Sequence, residues 1–242
     1  MTRDALRAEW TKLRTLPGNL LLVLAIVATT IGVSALVALE PPGLDPAKDA
    51  LTGVQLGQAV VAILAVLSIG GEHGTGLIQV SVAAVPRRST MLAAKATVLV
   101  AVTAPAATLG VLGSLLAAGP MIGDVSLDDA AVWRAVAGSV LYLVLIGMLS
   151  LGVAAAVRNS AAAVGVVLGL LYAFPIVAAA TGDKDWQRHL QQIGPATAGL
   201  AVQATRALDE LPIGPWEGLG VLALWAVGAL LVGGFLLHWR DL

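Results

Sequence analysis

The chain of 242 residues contains no cysteine at all. That excludes a disulfide framework, thiol catalysis and cysteine-based metal sites. Charge is nearly as scarce: 12% of residues are charged, whereas 58% are hydrophobic. Such a balance excludes an ordinary soluble domain and indicates an integral membrane protein. No G-x-x-x-x-G-K-[ST] phosphate loop occurs, and "GGEHGTG" (70–76) lacks both the Lys and a preceding strand, so the chain cannot cradle a nucleotide in the usual way. A Ser-His-Asp site, an H-E-x-x-H helix and a catalytic paired-carboxylate arrangement are equally unsupported. His73, His189 and His238 are isolated in sequence, whereas a metal site needs convergent ligands. No Asp, Glu, Lys, Arg or His lies near the middle of any apolar run, where ion-coupled carriers and proton pumps commonly keep one.

What the sequence does have is six apolar runs: Asn19–Leu39, Val54–Ile69, Met91–Ala118, Val132–Val157, Ala161–Ala180 and Gly218–His238. At ~1.5 Å per residue, a run of ~20 crosses the ~30 Å hydrocarbon layer as a helix. The second run is short and must borrow residues from its flanks; the third and fourth can tilt or extend. The runs are continuous and not alternating, which rules out barrel strands. A cleavable signal peptide is disfavoured because the first run is too long and follows a charged helix. The expected fold is all-α and polytopic, with an interfacial leader at 1–18 and a six-span domain at 19–242. No internal repeat of the inverted-carrier type is visible.

An even number of spans puts both termini on one side. If that side is the cytoplasm, the inner segments hold Arg3, Arg7, Lys12, Arg14, Arg87, Arg88, Lys95, Arg158 and Arg240 against Asp4, Glu9, Glu72 and Asp241. The outer segments hold only Lys48, Arg134, Lys184, Arg188 and Arg206, against eleven acids. Nine basic residues inside and five outside obey the positive-inside rule, so both termini are expected in the cytoplasm. Arg outnumbers Lys, and Ala, Gly and Val dominate, which suggests a GC-rich bacterium and its cell membrane.

Within the spans the polar groups are mild: Gln55, Gln58, Ser68, Thr97, Thr103, Thr108, Ser114, Ser139 and Ser150. Ser and Thr suit interhelical packing or hydrogen bonds to the backbone. Gln55 and Gln58 are two amides three residues apart on one helix face, hence candidates for a substrate pathway. Gln55 could equally sit at the membrane interface. Gly165 and Gly169 form G-x-x-x-G on the fifth span and permit close helix contact.

The stretch between the second and third spans is the most informative. Leu77–Val85 is apolar but too short to span, and Glu72, His73, Arg87, Arg88 and Lys95 surround it. Arg87 and Arg88 can anchor the third span on anionic headgroups. At ~25 cal/mol per Å2, however, exposed Leu, Ile and Val side chains favour burial by several kcal/mol. The segment must therefore lie in the interface or dock against protein. Leu77, Val80 and Ala84 have helical spacing, although Val80, Val82 and Val85 are β-branched.

These residues resemble the first cytoplasmic loop of ATP-binding-cassette permeases of the type-2 exporter class. Gly71-Glu72-His73, Gly76, Ile78, Pro86-Arg87-Arg88 and Lys95 match the family pattern, while Leu77 and Gly74 depart from it. "RAEWTKLRT" (7–15) is similar to the family's amphipathic leader and "HWRDL" to its Arg-Asp terminus. The resemblance implies a coupling helix fitting a groove in an ATPase partner that binds ATP and Mg, beneath a pair of permease subunits, homo- or heterodimeric. Glu72, Gly76, Leu77, Ile78, Pro86, Arg87, Arg88 and Lys95 would make up that coupling element.

In the leader, Leu6, Trp10 and Leu13 share a face beside Arg3, Arg7 and Arg14, so it should lie in the inner headgroup layer, with Glu9 and Lys12 on the same helix. A passive anchor and a contact with the ATPase are both open for it. Pro17-Gly18 is expected to break it from the first span. Outside, Thr181–Gly218 reads as two short helices, "DWQRHLQQI" and "AGLAVQATRAL", broken at Gly194-Pro195. It is either a gate near the exit or surface dressing.

The expectation is a permease subunit, not itself an enzyme and without a cofactor of its own. It would export a hydrophobic or amphipathic molecule (a drug, antibiotic, lipid or apolar peptide). Its partners would be an ATPase, a second permease subunit and the bilayer, with no nucleic acid. A non-transporting immunity or sensor protein is the alternative; a membrane-embedded enzyme has no clustered acid-base residues to support it.

Overall fold

The computed structural model describes residues 2–15, 17–41, 43–75, 88–123, 125–126, 128–157, 159–180 and 182–239. Among the described residues there are helices and connections but no strand. Among the described residues, six helical stretches are long and apolar enough to cross a membrane: Pro17–Val37, Pro46–Gly70, Thr90–Ile122, Ala130–Val157, Ser160–Ala180 and Pro215–His238.

The leader is α1 (Thr2–Thr15), with Asp4 in its first turn and Lys12 and Arg14 in its last, the charge order a helix dipole favours. The first span, α2, is Pro17–Val37. Pro17 and Gly18, expected to break the chain, both lie inside this helix. Proline is tolerated there because the first helical residue has no intrahelical use for an N–H. The second span does borrow from its flank: α3 (Pro46–Ala50), capped by Asp45, turns directly into α4 (Val54–Thr75). The third, α5 (Arg88–Ile122), is 35 residues long with Pro105 and Pro120 inside it. That is ~50 Å of helix, well beyond the hydrocarbon thickness. Helix α6 (Ala130–Val157) and α7 (Ser160–Ala180) form spans four and five. Then come α8 (Lys184–Ile193), α9 (Pro195–Leu200), 3-10 turns at Ala201–Gln203 and Leu208–Glu210, and α10 (Pro215–Trp239) as the sixth span.

Spans two, three and four form the centre, whereas spans one, five and six bury only 17, 22 and 22% of their apolar windows. Apolar helices gain little from water exclusion inside lipid, so close backbone approach and polar contacts must hold them. Both are present. A Cβ on Gly53 would stand 1.9 Å from the Thr30 carbonyl oxygen, and the Gly53 N–H donates to Ser34 Oγ at 3.0 Å. Ser114 Oγ, on span three, donates to the same Thr30 carbonyl at 2.9 Å. Spans four and six meet backbone to backbone, since a Cβ on Gly152 would lie 2.4 Å from the Ala229 carbonyl carbon. The hydroxyls of Ser68, Thr97, Thr108 and Ser150 bond to carbonyls of their own helices, as routine span residues do. Gly165 and Gly169, by contrast, face open space within this chain.

Candidate functional site

Three polar constellations interrupt the apolar bundle. The first lies where the leader meets the bases of spans two and three. Lys95, in the second turn of α5, is 2% exposed, and its ammonium donates to Glu9 Oε2 at 2.7 Å and to the Ser68 carbonyl at 3.1 Å. The other Glu9 oxygen accepts from Lys12 Nζ at 3.0 Å. Ammonium carries three donors and no acceptor, so a buried lysine needs this convergence of oxygens. The leader thus docks through Ala5 and Glu9, both buried, while Trp10 is half exposed and Leu6 and Leu13 are partly covered. The face pressed on the bundle is therefore that of Ala5 and Glu9, and not the Leu6–Trp10–Leu13 face; Arg7 and Arg14 are exposed. Sequence reading assigned Lys95 and Glu9 to separate features, and the fold joins them across 86 positions of sequence.

Of the remaining coupling residues, Gly76, Leu77, Ile78, Pro86 and Arg87 lie outside the described residues. Glu72 belongs to the last turns of α4 and Arg88 opens α5, so the two helices reach the segment from either side.

The second constellation is inside the bundle. Gln58 is buried and its side-chain oxygen accepts a hydrogen bond from Tyr142, which is fully buried on span four. Gln55 is exposed, and its backbone carbonyl accepts from Tyr172 of span five at 2.6 Å. The two amides share a helix face but not a role: one is consumed in the core and the other points toward the distal end, away from the leader. The chain's two tyrosines, missed at the level of sequence, both converge on this turn. Their signal was present, because a phenol in an apolar run needs a partner for its hydroxyl.

The third constellation closes the distal end. There α8, α9 and the following 3-10 turn fold back over spans two, four and six. The two short helices are present, but the second begins at Pro195 and ends by Gln203, earlier than "AGLAVQATRAL" suggests. The chain straightens because Asp45 seizes it: Thr205 Oγ1 donates to Asp45 Oδ1 at 2.6 Å, and the Thr205 and Arg206 N–H groups donate to Oδ2 at 2.6 and 3.0 Å. The Lys48 N–H adds a cap bond to Oδ1 at 3.2 Å. Partial burial opposes charge on this carboxyl, but the bonds from Thr205, Arg206 and Lys48 outweigh it and hold its pKa below the ordinary value. Gln203 donates to Ser139 Oγ at 3.0 Å and the Leu51 carbonyl at 3.3 Å; Arg134 donates to the Ala204 carbonyl at 2.6 Å. Trp225 Nε1 reaches the Ile193 carbonyl at 2.9 Å. Gly218 permits the crossing, since a Cβ there would stand 2.0 Å from the Ala198 carbonyl oxygen.

Beneath this fold-back lies a cavity of about 270 Å3, lined in part by Lys48, Gln55, Gln191, Thr197 and Gln203. Two larger grooves, of about 500 Å3 between spans four, five and six and about 530 Å3 between spans three and six, are lined almost wholly by apolar side chains. Among the described residues no group of three His, Asp or Glu could hold a metal.

The arrangement is one of helices joined at a few polar contacts. Its leader is tied to the bases of the two helices that flank residues 76–87. No curated protein matches the chain. A family model described as ABC-2 family transporter protein matches residues 5–176, from the leader through most of the fifth span. The chain belongs to the ABC-2 transporter family, as a membrane-spanning permease component.

Proposed function

We propose that the chain is the permease subunit of an ATP-driven exporter, located with both termini in the cytoplasm of a bacterial cell. It works beside a second permease subunit and a separate ATPase that binds ATP and Mg. Its cargo is hydrophobic or amphipathic, in keeping with spans that carry amides and hydroxyls but no mid-membrane charge. The observation that carries this reading is the joint at Lys95. Helices α4 and α5 both run past their apolar spans toward residues 76–87, and Lys95 ties them to the leader through Ser68 and Glu9. A force on 76–87 then passes into the two spans, which lie at the centre of the bundle. Glu72, Arg87 and Arg88 orient the coupling element, Leu77 and Ile78 supply its buried contacts, and Lys95 acts as the positioning residue behind it.

Affinity capture of the tagged chain in gentle detergent tests this. A nucleotide-binding protein is expected to accompany it, and Leu77→Asp with Ile78→Asp is expected to lose that protein while the chain stays monodisperse. Recovery of the chain without any ATPase, from cells expressing its genomic neighbours, would favour a sensor or immunity role instead.

A further inference from the structure

The distal cavity is too polar to be left-over packing in so apolar a chain. Three of its lining residues are glutamines: Gln55 from span two, Gln191 from α8 and Gln203 from the turn that follows α9. Gln203 spends its Nε2 on Leu51 and Ser139, which locks it in place. The side-chain amides of Gln55 and Gln191 and the ammonium of Lys48 make no hydrogen bond to another described residue. Thr197 Oγ1 donates to the Gln191 carbonyl at 2.9 Å and so fixes the backbone from which that amide projects. Leu200, Leu211 and Ile213 make the remaining wall apolar.

We propose that this cavity binds the head of an amphipathic cargo, and that the head is uncharged and multiply hydroxylated, as a glycosyl group is. The proposal rests on the exporter reading and names the substrate class for it. Size selects a head and not a whole molecule, since about 270 Å3 falls below the ~300–1,000 Å3 of sites that enclose drug-sized ligands. The cargo's tail then lies along Leu200, Leu211 and the neighbouring lipid.

Charge narrows the class. A cationic head finds no free carboxylate, because none lines the cavity and the nearby Asp45 oxygens are taken by Thr205, Arg206 and Lys48. An anionic head would meet Lys48, but the connections at this end hold eleven acids and five bases, and their field opposes its approach. Amides donate and accept at once, as hydroxyls do, so two free amides and one ammonium suit a ring of hydroxyls.

The test uses the full chain in phosphatidylcholine bilayer discs and needs no ATPase. Tritiated octyl glucoside, kept below micelle formation, is expected to bind saturably. Gln55→Leu with Gln191→Leu should weaken it about tenfold, the value of two neutral hydrogen bonds of ~0.7 kcal/mol each. Octanoate and octyltrimethylammonium, with the same tail and charged heads, should not compete. Methyl glucoside, a head without a tail, should compete poorly. As a second measurement that leaves the polar lining intact, Leu211→Cys gives a single thiol in a cysteine-free chain, and octyl glucoside should slow its reaction with maleimide. Equal, non-saturable uptake by both proteins with no protection of the thiol would overturn the proposal. So would competition by either charged octyl compound, and tight binding of methyl glucoside would remove the amphiphile from it. If binding fails while the ATPase is still captured, only this site is lost. Saturable binding without any ATPase would leave the site standing and remove the exporter reading.

Discussion

The two ends of the bundle are held together by different chemistry. Near the leader, the long-range link is an ion pair, Lys95 with Glu9, whose side chains are 1 and 11% exposed. At the distal end a single carboxylate, Asp45, is held by neutral N–H and O–H donors, and amides, a guanidinium and an indole lace the rest to carbonyls. A buried ion pair is costly to break from one side, because the abandoned charge has nowhere to go. A carboxylate in a cradle of backbone donors is gripped by geometry and can be released by a proton. The first end is built as a bolt and the second as a clasp.

The sharpest way to break this contrast is to remove one half of the bolt. Glu9→Gln takes the Glu9 carboxylate from the more deeply buried Lys95 and should destabilise the chain by up to ~3–5 kcal/mol. Lys95→Met should cost less, because Glu9 keeps Lys12 and some exposure to water. Thermal unfolding in detergent, followed by helix circular dichroism, would rank the two. Equal losses would mean that the pair is far wetter than its geometry implies.

The clasp should give a smaller effect with a signature of its own. Asp45→Ala should cost ~2 kcal/mol, typical of hydrogen bonds to a charged group. Because the folded-state pKa of Asp45 is lowered, its stabilisation is fully present above the usual carboxyl pKa of ~4 and fades as the pH falls through the folded value. Asp45→Asn should therefore flatten the acid side of the stability profile, as read from unfolding midpoints on descending pH. An unchanged profile would detach the clasp from proton release.

Between the ends, Tyr142→Phe should cost ~1 kcal/mol by stranding the Gln58 oxygen, and Tyr172→Phe less, because Tyr172 is only half buried. Combining Glu9→Gln with Asp45→Ala should give additive losses within ~0.5 kcal/mol, since the two sites lie at opposite ends of the bundle. A larger coupling would show that the ends communicate through the spans even without nucleotide. Smallest of all, Gly165→Ala should change the stability of the single chain by under ~0.5 kcal/mol, because a Cβ there meets nothing within 4 Å.

Much of this was legible from residues. The runs at Ala161–Ala180 and Val132–Val157 became helices at almost those limits, because length and continuous hydrophobicity decide a span on their own. The short second run did draw on its flank, at Pro46–Ala50. The candidate site was less legible. Gln55 and Gln58 stand three residues apart, but only the approach of Tyr142 from another span sent one into the core and left the other facing a cavity. Leu6, Trp10 and Leu13 form the obvious apolar stripe of the leader, yet Ala5 and Glu9 make its contact. Hydrophobic periodicity cannot foresee a buried lysine waiting on a neighbouring helix.

Sequence alone determined that this is a six-span, cysteine-free membrane chain with a short apolar segment set among charges at 72–95, because those properties depend on composition along the chain and the thickness of a bilayer. Tertiary structure alone decided that Glu9 meets Lys95 and that Asp45 meets Thr205, pairs 86 and 160 positions apart. In an apolar medium the few polar groups must find one another. Which ones do so depends on how closely the glycines let the helices approach.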